Sequence, residues 1–275
     1  MPARIPDRLK SMLENQDTLY GIICRDATNI DIELLAQAGY HVIWMDHEHS
    51  AQSLSEMLRL SRTIHHLGMV PMLRVSELSR TQIQAALDGG IHILTLPNVE
   101  NPHQVQQFVR YGKYPPAGER GVSTTNAGAD YSLGEDIQQT LQEVNDATHL
   151  MIMIESENGF NRLDEILAVD GIDMVTIGPL DWASKMEVYG SAAQQVLRPR
   201  IEEVIRSSSQ TGKIVAMVAL SDADLTRQYH HLGVRIFFIG EDIVMKREKY
   251  ADTLRENRSV LRQAWQVLEE GKRLE

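Results

Sequence analysis

The chain has 275 residues, a formal net charge of −11 and 43% hydrophobic side chains. That acidity argues against a partner made of nucleic acid or anionic lipid, because phosphate recognition needs clustered Lys and Arg. Cys24 is the one cysteine, which rules out an internal disulfide and a multi-cysteine metal site.

The N-terminal stretch Met1–Gln16 is charged and lacks the apolar core of a signal peptide. No apolar run approaches the roughly 20 residues of a membrane span, so a soluble, cytoplasmic protein is expected. No linker, low-complexity tract or composition break divides the chain, and residues 1–275 read as one domain. Strand-like apolar runs then follow in order: Tyr20–Cys24, His41–Met45, Val70–Arg74, His92–Leu96, His149–Ile154, Asp173–Ile177, Ile214–Ala219 and Arg235–Ile239. Helical spacing of apolar residues marks Ile30–Ala38, Leu54–His66, Thr81–Leu87, Pro199–Ser209 and Ala223–Leu232. Gly39, Gly68, Gly171, Gly212 and Gly233 stand between a helix end and the next strand, where a left-handed cap is wanted. Eight strands alternating with helices predict an α/β fold, a single (β/α)8 barrel, whose usual length is about 250 residues.

Two segments exceed the minimal repeat. Tyr111–Gly134 is a long loop between the fourth and fifth strands, and long ordered loops are commonly functional. The tail, about residues 242–273, is a helical extension on which Leu254, Leu261, Ala264, Trp265 and Leu268 form a stripe. An oligomer interface and an ordinary eighth barrel helix both account for it.

In such a barrel, chemistry belongs at the C-terminal ends of the strands. The run His41-Val42-Ile43-Trp44-Met45 opens into Asp46-His47-Glu48-His49, the third strand ends in Arg74, the fifth in Glu155, and the sixth runs into Gly178-Pro179-Leu180-Asp181. Each has a plainer reading. Glu155 suits a solvated strand end, Asp181 a helix N-cap or turn, Arg74 a structural ion pair and His49 an exposed histidine. His47 faces away from Asp46 if the strand continues. The convergence of carboxylates, a guanidinium and an imidazole on one rim favours a site. Glu155 and Asp181 suit a hard divalent cation, Mg2+ or Mn2+ more than Zn2+. Such an ion can chelate a 2-oxo acid and stabilise its enolate, with Arg74 neutralising charge and His49 moving the proton.

These motifs, together with Leu87-Asp88-Gly89-Gly90 and Pro115-Pro116-x-Gly118-x-Arg120-Gly121, resemble the HpcH/HpaI family of metal-dependent (class II) pyruvate aldolases in the citrate lyase β-like superfamily. The likeness runs from about Gly21 to Asp242. It implies a (β/α)8 barrel, a homohexamer built as a trimer of dimers with the last helix exchanged, and reversible cleavage of 4-hydroxy-2-oxo acids to pyruvate and an aldehyde. It also implies Glu155 and Asp181 as metal ligands, for Mg2+ or Mn2+ with Co2+ or Zn2+ as alternatives. Arg74 matches the enolate-stabilising arginine and His49 the base. Asp88 matches an acid that pairs with that histidine across a subunit interface, and Asp46 a carboxylate near the metal-bound water. The backbone around Gly178, Pro179, Leu180 and Asp181 matches the seat of the pyruvate carboxylate.

Met153 stands where the family usually has Gln, Trp182 where it has Leu, and Glu187 where it has Gly. Ile23 replaces a bulkier residue, and the loop through Asp130 lacks the arginines that many members carry. These departures are expected to bear on aldehyde specificity. The alternatives are oxaloacetate decarboxylation, an acyl-CoA-linked or other enolate-forming lyase, and a barrel that binds a 2-oxo acid without turnover.

Overall fold

In the computed structural model, which describes residues 5–132, 136–218 and 222–272, eight parallel strands close a barrel in sequence order. Helix α1 (Arg8–Asn15) precedes β1 (Leu19–Cys24), and α2 (Asn29–Ala38), β2 (Val42–Asp46), α3 (Leu54–His66) and β3 (Val70–Arg74) follow. Next come α4 (Arg80–Asp88), β4 (Ile93–Leu96), α5 (Pro102–Gly112), α6 (Ile137–Ala147), β5 (His149–Ile154), α7 (Glu157–Asn161), α8 (Leu163–Leu167) and β6 (Met174–Ile177). The chain ends with α9 (Pro179–Lys185), α10 (Gly190–Gln210), β7 (Ile214–Val218), α11 (Ala223–Leu232), β8 (Val234–Glu241) and α12 (Asp242–Lys272).

Local chemistry sets these boundaries. Thr28 with Asp31, Ser53 with Glu56 and Asn101 with Gln104 form reciprocal capping boxes at the starts of α2, α3 and α5. The five glycines predicted as left-handed caps all take positive φ, from 76° at Gly212 to 122° at Gly233. The predicted spans of α3 and α11 match the structure. Pro199 was expected to open its helix and instead lies inside α10. Leu197 and Ile201, both buried, hold that turn against the barrel and offset the missing proline N–H. The seventh strand's predicted last residue, Ala219, lies outside the described residues, as do Leu133 and Gly134 of the long loop and residue 273 of the tail.

The two-residue period of a strand divides the core. Outward residues such as Ile43, Leu73, Leu94, Ile152, Val175 and Val215 pack beneath the helices. Inward residues fill the barrel: Val42 and Trp44, Val70 and Met72, Met151 and Met153, Ile236 and Phe238. Leu9 of α1, with Met12 and Leu13, joins that inner cluster and closes the N-terminal end. Gly21 leaves room for the Phe238 ring, which a Cβ there would meet at 2.5 Å. The same period points Asp46, Arg74 and Glu155 into the barrel's C-terminal mouth.

On α12, Leu254, Leu261 and Trp265 remain exposed, while the side chains of Ala264 and Leu268 lie outside the described set. Among the described residues, no helix is long and apolar enough to cross a membrane.

Candidate active site

Adjacent strands place Asp46 and Arg74 opposite each other in the β2–β3 register. Arg74 makes a fork to that carboxylate, Nε to Oδ1 at 2.9 Å and Nη2 to Oδ2 at 2.6 Å. Its Nη1 reaches Glu48 Oε2 at 3.0 Å and, weakly, Met153 Sδ at 3.9 Å. Beneath it lies the Trp44 ring, 5.5 Å from the guanidinium carbon. A second guanidinium, Arg25, sits 3.2 Å from Asp46 Oδ2, donates to the His49 carbonyl at 3.2 Å and pairs with Glu241 at 3.0 Å. Asp46 Oδ1 also accepts the backbone N–H groups of Glu48 and His49, which fixes the turn that carries the imidazole. Burial pushes the Asp46 carboxyl up, but the hydrogen bonds and charge of Arg74, with Arg25, outweigh it and hold the group below its ordinary value. Asp46 is thus an ionised anchor with both oxygens engaged.

Glu155 is in the opposite condition. It is 1% exposed. Its Oε1 accepts the Asn98 N–H at 2.6 Å, and its Oε2 is buried with no hydrogen-bond partner in the protein. Burial above all, with the nearby charges of Asp181 and Glu48, raises its pKa to about 7, against the pull of the Asn98 N–H. Burial also raises Glu48, with Asp46 and Asp181 adding to the shift and Arg74 and His49 opposing it. Three carboxylates therefore crowd one another beside Arg74. Such crowding is costly in the free protein and suits a cation. Gly178 makes the close approach possible, because a Cβ there would stand 2.3 Å from Glu155 Oε2. Among the described residues, no group of three or more His, Cys, Asp or Glu is arranged to hold a metal ion. Glu155 with Asp181 is a pair of hard oxygen donors, and the unpaired Oε2 fits that use.

Asp181 lies in the first turn of α9, whose N-cap is Gly178, so it is not itself the cap. Pro179 has no N–H, which leaves those of Leu180 and Asp181 at the helix start without intrahelical acceptors. Leu180 is 84% exposed. His49 is half exposed at the mouth, with Nε2 3.9 Å from Glu48 Oε2. His47 turns away to Gln82 at 3.1 Å.

Asp88 is not brought to this rim. It ends α4, which starts past the C-terminal end of β3 and finishes just before the N-terminal end of β4. There it pairs with Arg120 at 2.6 Å, and Arg120 lies 4.5 Å over the Tyr114 ring. The long loop starts where α5 ends and touches α4 at Leu87 and Asp88, so it too lies at the opposite end from Glu155. Two of the positions that depart from the family's usual residues sit in the packing and the backbone turn around α9. Trp182 is fully buried and donates Nε1 to Glu157 at 2.8 Å. Glu187 takes φ 56° after α9, a left-handed turn that glycine adopts freely. Met153 and Ile23 do face the barrel interior.

The sequence reading gave no role to Arg25, Asn98 or Glu48. Arg25 and Asn98 follow strand ends as surely as Asp46 does, and that position was the available signal. Glu48 was visible in its motif.

Residues 25–247 match the family model described as HpcH/HpaI aldolase/citrate lyase. The chain is 34% identical to the hydroxypyruvate/pyruvate aldolase of Roseovarius nubinhibens over 92% of this chain and 97% of that protein. It is 29% identical to the 2-keto-3-deoxy-L-rhamnonate aldolase of Escherichia coli K12, with 92% of each chain covered. Among solved structures, the HpcH/HpaI aldolase from Desulfitobacterium hafniense superposes with a TM-score of 0.84 at 25% identity, over 91% of this chain and 96% of that one.

Proposed function

The chain belongs to the HpcH/HpaI aldolase/citrate lyase family and is a carbon–carbon lyase, and from that premise we propose that it cleaves a 4-hydroxy-2-oxo acid reversibly to pyruvate and an aldehyde with the help of a divalent cation. The observation that carries this reading is Glu155, a buried carboxylate with one unpaired oxygen, crowded by Asp181 and Glu48 beside Arg74. The charge balance of that group is incomplete without a cation.

Glu155 and Asp181 would hold the ion, with Mg2+ or Mn2+ favoured by an all-oxygen donor set. Bound there, such an ion supplies Lewis acidity toward the keto group of a 2-oxo acid. The remaining steps belong to the chain's own residues. The N–H groups of Leu180 and Asp181, following Gly178-Pro179, receive the substrate carboxylate. Arg74 Nη1, which has Glu48 on one side and the weak Met153 thioether acceptor on the other, donates a hydrogen bond to the C2 oxygen as that atom gains charge. His49 takes the proton of the 4-hydroxyl, the C3–C4 bond breaks to release the aldehyde, its electron pair passes into the C2–C3 unit as the pyruvate enolate, and the proton held by His49 returns to C3 to give pyruvate. Asp46 keeps Arg74 and the His49 turn in place and takes no proton itself.

The enzyme works in the cytoplasm as a homohexamer, a trimer of dimers, with the exposed stripe of α12 at an interface. Asp88 supports His49 of a neighbouring subunit, which agrees with its distance from the rim of its own chain. The test is cleavage of a panel of 4-hydroxy-2-oxo acids with pyruvate read by coupled reduction to lactate. Activity should vanish with chelator, return with Mn2+ and be absent in Glu155→Gln. A Glu155→Gln variant that binds no cation yet cleaves at the wild-type rate would refute the assignment.

A further inference from the structure

After β4 ends at Leu96, the chain leaves the barrel through Pro97-Asn98. Asn98 takes φ 54°, a left-handed conformation that Asn tolerates better than most residues with a side chain. An asparagine in such a turn usually bonds its own neighbourhood. Asn98 instead reaches three groups 50 to 87 residues away in sequence. Its backbone N–H donates to Glu155 Oε1 at 2.6 Å. Its side-chain Nδ2 donates to Glu48 Oε1 at 3.4 Å, and its Oδ1 accepts from Lys185 Nζ at 2.6 Å. Gln104 ties the turn to α5 by donating to the Asn98 carbonyl at 3.3 Å.

We propose that Asn98 is a positioning residue of this site, acting in two ways. Its left-handed turn aims the backbone N–H at one oxygen of Glu155, so that the other, the unpartnered Oε2, is the one left to a cation. Its amide anchors Lys185 at the mouth, where the ammonium meets the carboxylate of an incoming 2-oxo acid. Glu48, held by the same amide, is kept to the Arg74 side, away from the oxygen that Glu155 leaves free. The inference rests on the aldolase reading for the identity of the anion, and on the cation site for the use of Oε2.

Backbone and side-chain roles separate in two variants of the full-length protein. Asn98→Gly keeps the N–H and adopts positive φ freely, whereas Asn98→Ala keeps the N–H but resists that turn. Mn2+ binding, followed without substrate by electron paramagnetic resonance, should be within about twofold of wild type for Gly. It should be about tenfold weaker for Ala, the scale on which displaced ligand-supporting groups act. Both variants lack the amide, so both should raise KM for the 2-oxo acid severalfold with a smaller change in kcat. The KM effect should shrink at high salt as the Lys185 charge is screened. Urea unfolding provides the fold control, and the Gly variant carries the KM test alone if Ala does not fold. Equal Mn2+ affinity in Gly and Ala would overturn the backbone role, and an unchanged KM in Gly would overturn the side-chain role. A wild-type protein that binds no Mn2+ would instead sink the aldolase reading, which distinguishes the two failures.

Discussion

Replacing Glu155 by Gln should stabilise the cation-free protein while abolishing catalysis. Folding raises this carboxyl from 4.5 to about 7 because it is buried, with Asp181 and Glu48 adding their charge. A carboxyl with a raised folded pKa holds its proton more tightly when folded, so its ionisation opposes folding. The penalty is absent below about pH 4 and complete above about pH 8; the rise from 4.5 to about 7 corresponds to roughly 3 kcal/mol. Gln keeps the acceptor for the Asn98 N–H and carries no charge. In chelator at pH 8.5, the variant should therefore melt about 6 °C above wild type, at roughly 2 °C per kcal/mol for a chain of this size. At pH 4.5 the gap should nearly close. Saturation with Mn2+ at about a hundred times Kd should return roughly 2.7 kcal/mol to wild type and little to the variant. Scanning calorimetry at the two pH values, with and without Mn2+, reads all of this. A variant that melts below wild type in chelator at pH 8.5, or by the same margin at both pH values, would refute the reasoning.

Other substitutions probe the rest of the rim. Asp46→Asn removes the charge from the Arg74 fork and frees the His49 turn, and should lower kcat at least a hundredfold (about 3 kcal/mol for a buried pair) with Mn2+ affinity little changed by titration. Gly178→Ala puts a Cβ 2.3 Å from Glu155 Oε2, so it should abolish Mn2+ binding in a resonance titration while far-ultraviolet circular dichroism stays that of wild type. Mn2+ affinity of wild type should fall about tenfold per pH unit below pH 7 and level off above it, because the cation competes with the proton on Glu155. If Asp88 supports the His49 of a neighbour, His49→Asn and Asp88→Asn should each be inactive alone and regain part of the activity when refolded together. No regain would place Asp88 outside the active site.

The fold was legible because its two periods are strong. Apolar runs such as His149–Ile154 mark strands buried on both faces, and capping pairs such as Ser53 with Glu56 mark helix starts. Asp46, Arg74 and Glu155 were legible because each continues the inward series of its strand, after Trp44, Met72 and Met153. What escaped was what depends on backbone direction and distant partners. Asn98 works through a positive φ and an N–H, which no side-chain pattern announces. Arg25 matters because closing the barrel brings β8, with Glu241, alongside β1. Trp182 follows Asp181 directly yet serves core packing, since a short helix turns successive residues to different sides, and Glu187, six residues on and past the end of α9, serves a turn. The long loop reads as functional by length, but only the direction of α5 shows that it lies at the opposite end of the barrel.

The central claim is that Glu155 and Asp181 grip a cation that lets this chain turn pyruvate into its enolate. Nuclear magnetic resonance of the pyruvate methyl signal in deuterated water tests it without knowledge of the aldehyde. With Mn2+ removed after the incubation, the wild-type protein should have replaced the methyl protons by deuterium, while chelator-treated wild type, Glu155→Gln and Asp181→Asn should have left them intact. Exchange that proceeds equally in chelator, or a wild-type protein that exchanges none with the metal supplied, would contradict the account.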